Sequence, residues 1–336
     1  MSDPSLAVPT DPSAAGGRGK RPLTVLQVVP SLVAGGVEQG TIEVAAAVVQ
    51  AGGRAIVASA GGPLERRIRA VGAELVLMNA ASKNPLDIVQ NGWALARLIR
   101  DVGADVVHAR SRAPAWSALM AARRTATPFV TTFHGAYSER LPLKHFYNSV
   151  MARGRPVIAP SRFIGELVAE RYGTPPDRIV VIPRGADPRV FSEERVTGHR
   201  AVDLAQRWGL LDDTRPVVML PGRLSRWKGG ESVVEAAAIL RELRGPDFLV
   251  LLVGGETQEG FEATLARRID ALGVGDIVRL CGHCSDMAAA LKLASLVVSA
   301  SIEPEAFGRV AVEAQAMGRP VIATDHGGAQ ETVVPG

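Results

Sequence analysis

Aromatic side chains make up only 4% of these 336 residues, and only two cysteines occur, Cys281 and Cys284. Two thiols three positions apart cannot staple a domain, so the fold must rest on its core, and a reducing cytoplasm is the expected setting. No apolar run approaches the roughly 20 residues that a membrane-spanning helix requires. Residues 1–22 (MSDPSLAVPTDPSAAGGRGKRP) hold Pro, Ser, Gly and Ala without periodicity, lack the apolar stretch of a secretory leader, and are expected to be a disordered tail. The G-x-G-x-x-G fingerprint is absent, which argues against a nicotinamide or flavin site. There is also no Asp-x-Asp pair.

What is present is an aliphatic globular composition, 47% apolar and 21% charged, in a chain long enough for two domains. A net charge of +4 decides little, but its distribution says more. Between residues 109 and 155 eight Lys and Arg (Arg110, Arg112, Arg123, Arg124, Arg140, Lys144, Arg153, Arg155) face one acid, Glu139, interleaved with Trp116, Leu119, Met120, Phe146, Tyr147 and Met151. Basic residues beside apolar ones on short helices suit an anionic membrane surface, and also nucleic acid; the plain alternative is a solvated face over a core stripe.

Residues 23–29 (LTVLQVV) form an apolar strand leading into a turn with Gly35 and Gly36 and then a helix, a unit sized for a phosphate at a helix start. Further strands at 54–60, 73–79, 104–110, 128–135 and 156–160 alternate with helical patterns at 64–71, 85–101, 115–124, 145–153 and 161–172. Such alternation implies a parallel, doubly wound sheet with ligands at the carboxyl ends of its strands. His134 stands at one such end, and His108 and Arg110 at another. Residues 177–191 (DRIVVIPRGADPRVF) close this first domain, and the polar, charged segment 191–213, which holds one helical pattern, reads as a linker.

The second domain, 214–336, opens with a strand at 217–220. Gly222, Arg223, Lys228, Gly229 and Gly230 follow on the loop to the next helix, placing two fixed cations and free N–H groups where a diphosphate would bind. Cys281-Gly-His-Cys284 sits between a strand and a helix start expected to be capped by Ser285. That tetrapeptide alone matches a thiol oxidoreductase centre, and three soft ligands are too few for zinc. Residues 299–332 (SASIEPEAFGRVAVEAQAMGRPVIATDHGGAQET) then give a strand end, a polar turn through Pro304, and a helix from about 307 that Gly318 ends. Glu305 and Glu313 flank its N-terminus, Glu313 about two turns in, and can accept hydrogen bonds from sugar hydroxyls.

Taken together, Glu305-x7-Glu313 with Phe307-Gly308, the Met317–Asp325 run and Gly327-Gly328 resemble the signature of the retaining glycosyltransferases of family 4, as does the Gly222-Arg-Leu-x-x-x-Lys-Gly string. The resemblance covers residues 23–336. It implies a GT-B fold, two Rossmann-like α/β domains facing a cleft: an acceptor domain at 23–190 and a nucleotide-sugar donor domain at 214–336. It also implies sugar transfer from a nucleotide diphosphate sugar to an acceptor hydroxyl with retention, requiring neither metal nor cofactor. By the same resemblance His134, Arg223, Lys228 and Glu305 are catalytic. The donor would be held by Gly222, Arg223, Lys228, Gly282, Glu305, Ala306, Phe307, Gly308 and Glu313, and Gly35, Gly36 and Arg110 would lie on the acceptor side. A glycan or glycolipid of the cell envelope, such as a lipopolysaccharide intermediate, is the expected acceptor, with residues 109–155 touching an anionic membrane and no nucleic-acid partner. The family usually carries Asn-Gly where this chain has Arg184-Gly185, which puts a charge near the cleft. The family also continues beyond the position of Gly336, so the donor domain is expected to be incomplete. The alternatives are a nucleotide-sugar-binding remnant without turnover, another GT-B sugar-nucleotide enzyme such as an epimerase, and a thiol oxidoreductase.

Overall fold

The computed structural model describes residues 21–33, 35–137, 142–257 and 259–334. Most of the expected N-terminal tail, residues 1–20, lies outside the described residues.

The first domain alternates strand and helix throughout. Its strands are β1 (Thr24–Val28), β2 (Arg54–Ser59), β3 (Glu74–Leu77), β4 (Val106–Ala109), β5 (Phe129–Thr132), β6 (Val157–Ala159) and β7 (Ile179–Val181). Its helices are α1 (Gly36–Gln50), α2 (Glu65–Ala70), α3 (Pro85–Val102), α4 (Arg112–Thr125), α5 (Pro142–Ser149) and α6 (Arg162–Tyr172). All strand pairs are parallel, in the order β3-β2-β1-β4-β5-β6-β7. The second domain holds α7 (Gly198–Arg207), β8 (Val217–Pro221), α8 (Gly230–Arg244), β9 (Leu249–Val253), α9 (Phe261–Ala271), β10 (Val278–Leu280), α10 (Met287–Leu293), β11 (Leu296–Ser299), α11 (Arg309–Ala316) and β12 (Val321–Ala323). Its five parallel strands run β10-β9-β8-β11-β12.

Each sheet is covered by helices on both faces, which is why its central strands are apolar runs rather than alternating ones. Leu26, Val28, Ile56 and Val107 pack against α3, α4 and α6 on one face of the first sheet, while Val29, Ala55 and Val57 meet α1 and α2 on the other. In the second domain the two faces separate in the same way around Met219 and Leu251, and around Leu220 and Leu252.

Several expected boundaries move. In the segment 191–213, where a linker is expected, α7 lies in the second core: Val196, Leu204, Ala205 and Leu210 pack with Val217 and Met219. The cap of α10 is Asp286 rather than Ser285, since its carboxylate accepts from Ala289 N at 3.1 Å while pairing with Arg200 at 2.7 Å. The helix expected over 145–153 is α5 followed by a 3-10 turn, Val150–Arg153. Glu313 stands one turn into α11, not two, because that helix begins at Arg309.

The strand orders place the site. Each reverses once, between β1 and β4 and between β8 and β11, and in open α/β sheets the crevice beyond the carboxyl ends at such a reversal receives the ligand. β1 leads to Gly35 and Gly36, β4 to Arg110, β8 to Gly222 and Arg223, and β11 to the loop carrying Glu305. The two crevices face each other.

Candidate active site

The donor-side loop is built around one close approach. Gly229 adopts φ +74° at the start of α8, and a Cβ there would lie 1.9 Å from the carbonyl oxygen of Ala300. The loop after β11 therefore presses against the start of α8, and Ile302 N donates to Trp227 O at 2.8 Å. This contact brings Lys228 onto Glu305, Nζ to Oε1 at 2.6 Å, with the ammonium 4.2 Å from the centre of the Trp227 ring. Ser301 Oγ donates to the same carboxylate. Arg223 is exposed at the cleft and has no ion-pair partner among the described residues.

Gly308 takes φ +86° before α11, a left-handed position that favours glycine. The helix opens with Arg309, whose guanidinium bridges the domains: Nη2 and Nη1 donate to the two carboxylate oxygens of Glu43 on α1 at 2.9 and 3.2 Å, and Nε to Glu313 at 3.2 Å. Burial pushes the Glu313 carboxyl up, and Arg309 opposes this. Two further contacts cross between the domains. Ser161 Oγ donates to Ala306 O, and the Glu331 carboxylate accepts from Arg162 N and Phe163 N at the start of α6, both at 2.8 Å.

His134 follows β5 and is fixed by a residue from the far end of the domain. Arg184 donates through Nη2 to His134 Nδ1 and through Nη1 to Gly36 O, the latter at 2.6 Å. With Nδ1 accepting, the imidazole hydrogen sits on Nε2, which is buried and without a partner among the described residues. Desolvation, then Arg184, Arg110 and His108, hold His134 well below the ordinary imidazole value. The ring is therefore neutral, a hydrogen-bond donor through Nε2.

Most of the residues expected at the site come together. Gly35, Gly36, His134, Gly222, Arg223, Lys228, Glu305, Ala306, Phe307 and Gly308 line one cavity of about 300 Å³, joined there by Arg184, Trp227 and Arg309. Glu313 lines the adjoining cavity of about 950 Å³, which Gly35, Gly222 and Arg309 also border. Gly282 and Arg110 line neither. Arg110 is 3% exposed beneath α1, donating to Gln27 Oε1 at 3.2 Å, in space that exists because Gly40 has no side chain. Burial, then Arg184, lowers its pKa to about 9, which leaves it charged at neutral pH.

The thiols do not suit redox chemistry. Burial pushes Cys281 up to about 12 and Cys284 upward as well, so neither is a thiolate at neutral pH. Arg184, Arg309, Glu43 and Glu331 were not legible as site residues, although the Arg184 departure marked one of them.

Two family descriptions match the chain, Glycosyltransferase Family 4 over residues 34–190 and Glycosyl transferases group 1 over residues 204–336. A D-inositol 3-phosphate glycosyltransferase of Frankia alni is 31% identical over 258 residues, 69% of this chain and 60% of that protein. That of Thermobifida fusca is 35% identical over 49% of this chain and 38% of its own length. The chain thus spans between 38% and 60% of these curated relatives. Among solved structures, a glycosyltransferase from Rickettsia africae superposes with a TM-score of 0.82 at 38% identity, covering 94% of this chain and 83% of that one. Anabaena HepE in complex with UDP and glucose shares the fold, with a TM-score of 0.80 at 24% identity over 94% of this chain and 84% of its own. On these grounds the chain belongs to the family 4, group 1 glycosyltransferases of GT-B fold.

Proposed function

We propose that this protein moves a sugar from a nucleoside diphosphate sugar to an acceptor hydroxyl with retention at the anomeric carbon. The observation that carries this reading is the convergence, at two facing strand-order reversals, of Arg223, Lys228 and the starts of α1 and α11 with Glu305 and Glu313. The departing diphosphate gathers negative charge as the sugar bond breaks, so fixed cations and helix N-termini stabilise that charge more than the ground state. The chemistry then needs no metal or cofactor. Lys228 releases Glu305 to meet the diphosphate, freeing the carboxylate for hydroxyls of the transferred sugar. Glu313 receives the ribose, drawing away from Arg309.

The state of His134 bears on the proton. Its Nδ1 lone pair is occupied by Arg184 and its Nε2 carries the hydrogen, so the ring has no lone pair for the acceptor's proton. With Glu305 engaged by the transferred sugar, the leaving phosphate takes that proton, which fits attack on the same face and hence retention. Proton NMR of the isolated glycoside tests this. The donor's anomeric configuration is expected in the product; the opposite configuration overturns the reading, and a product without a glycosidic bond points to an epimerase.

Arg184→Asn removes one of the charges that keep His134 neutral. Since Arg184 lowers the His134 pKa, its loss raises it, and the His134 ring signals in a proton NMR titration move at higher pH. A titration unchanged in position would show that Arg184 does not govern this ring.

For the acceptor we propose a glycan or glycolipid of the cell envelope, such as a lipopolysaccharide or polysaccharide intermediate. The enzyme would work in the cytoplasm, peripherally at the inner face of the membrane. The basic, apolar-flecked stretch from 109 to 155 supports this, with Leu143 and Phe146 of α5 exposed. No described helix is long and apolar enough to cross a membrane.

A further inference from the structure

The first domain carries a second concave site away from the cleft. A cavity of about 420 Å³ is lined by Arg123, Arg153, Arg155, Arg171 and Arg178, with Ser149 and Thr174 between them. These arginines come from the segments that lead into β5, β6 and β7, at the N-terminal ends of the strands, whereas the donor cleft lies beyond their carboxyl ends. No Asp or Glu lines it among the described residues.

The guanidiniums are held in place by neutral groups. Arg178 donates to Gly154 O at 2.7 Å and to Ala152 O at 3.4 Å, and its Nε is buried without a partner among the described residues. Arg171 donates to Tyr137 O at 3.1 Å. Arg153 lies 5.0 Å over the Trp116 ring, which stacks on Phe146. Asp177 borders a neighbouring hollow with Arg155 and Arg178, yet no ion pair joins it to either. Carbonyls and aromatic faces orient a guanidinium without neutralising it, so five like charges line one concavity, three of them, Arg153, Arg171 and Arg178, with their donors oriented. Such a fork geometry matches phosphoryl oxygens, each able to take two N–H bonds.

We propose that this cavity is a phosphoryl-binding site, separate from the donor cleft and independent of the transfer reaction. Two sources offer that group, the headgroup of an anionic phospholipid and a soluble phosphorylated molecule. Leu143 and Phe146 are exposed on α5, the helix that lends His145 and Ser149 to the cavity, which makes the lipid source compatible with the membrane contact proposed above; only that arm rests on it.

The test compares the full chain with Arg155→Glu/Arg171→Glu, both exposed positions outside the cleft. Cosedimentation with phosphatidylglycerol–phosphatidylcholine vesicles is one arm, and a thermal shift with inorganic pyrophosphate, read in the presence of saturating UDP, GDP or ADP to occupy the cleft, is the other. At least tenfold weaker binding in the variant in either arm, with nucleoside diphosphate release from the donor unchanged, supports the site and names its source. Binding that is equal in both proteins, or absent from both arms, overturns it. A variant that also loses donor turnover has lost its fold rather than this site, and Arg155→Gln/Arg171→Gln then replaces it, with the same outcomes read.

Discussion

Lys228→Ala is expected to lower the rate of sugar transfer by about a hundredfold to a thousandfold, the usual cost of removing one donor aimed at developing negative charge, or roughly 3 to 4 kcal/mol. The same substitution has a second consequence that must be separated from the first. Lys228 and Glu305 form a largely enclosed pair, with side chains 18% and 11% exposed, so removing the cation strands a carboxylate with only Ser301 beside it. Breaking a buried pair costs about 3 to 5 kcal/mol, and the residual exposure here places the loss toward the lower end. The double variant Lys228→Ala/Glu305→Gln removes the stranded charge. Its melting temperature is expected to recover most of the loss while its kcat stays low. A double variant that regains both would make the lysine a structural partner only.

Stability is expected to fall steeply as pH drops from about 6.5 toward 5. His108 is buried at 5% exposure, its Nε2 2.8 Å from Thr132 Oγ1, and desolvation followed by Arg110 keeps it well below the ordinary imidazole value. His134 is held down in the same way, with Arg184, Arg110 and His108 facing it. The unfolded chain takes up both protons near pH 6.5 while the folded chain does not, so unfolding gains protons and stability rises with pH through this window. Each imidazole contributes a slope of at most about 1.4 kcal/mol per pH unit, or about 2.7 for the two. The carboxylates act lower. Arg215 holds Asp213 at about 2, and Asp187, Asp286 and Glu74 are also lowered by arginine partners. A depressed carboxylate contributes above its unfolded value and is lost only as pH falls below about 4. Glu313, pushed up by burial, opposes the histidines and reduces the slope. Urea midpoints at pH 7.5 and 5.5 measure the effect, and His108→Gln should flatten the slope by up to half. Equal midpoints at the two pH values would show that both rings charge in the folded protein.

The alternation of strands and helices was legible because each buried parallel strand is a short apolar run and most helix starts carry Gly, Ser, Asn or Asp; Asn84 and Ser161 do cap α3 and α6. The Gly222 to Gly230 loop and the Glu305 to Glu313 unit were legible because each carries its residues on one continuous stretch, whereas their docking, Gly229 against Ala300 and Lys228 on Glu305, was not. Arg309 to Glu43 was not, because its partners are 266 positions apart and only the docking of α11 against α1 brings them together. Arg184 showed itself as a charge where the family has Asn, but its acceptors, His134 and Gly36, lie 50 and 148 residues away. Arg110 looked like a cleft residue because it ends a strand; Gly40 lets it fold back under α1 instead. The polar surface of α7 disguised the stripe of Ala201, Leu204 and Ala205 that belongs to the second core.

Release of nucleoside diphosphate from UDP-, GDP- and ADP-sugars, in the wild-type chain beside Lys228→Ala and Glu313→Ala, is the most direct measurement of a sugar-nucleotide cleft at the two facing reversals. Release from one donor, lost in both variants while each still melts cooperatively, is the predicted result. Release that persists at the wild-type rate in either variant, or no release from any donor with an acceptor extract present, would contradict it.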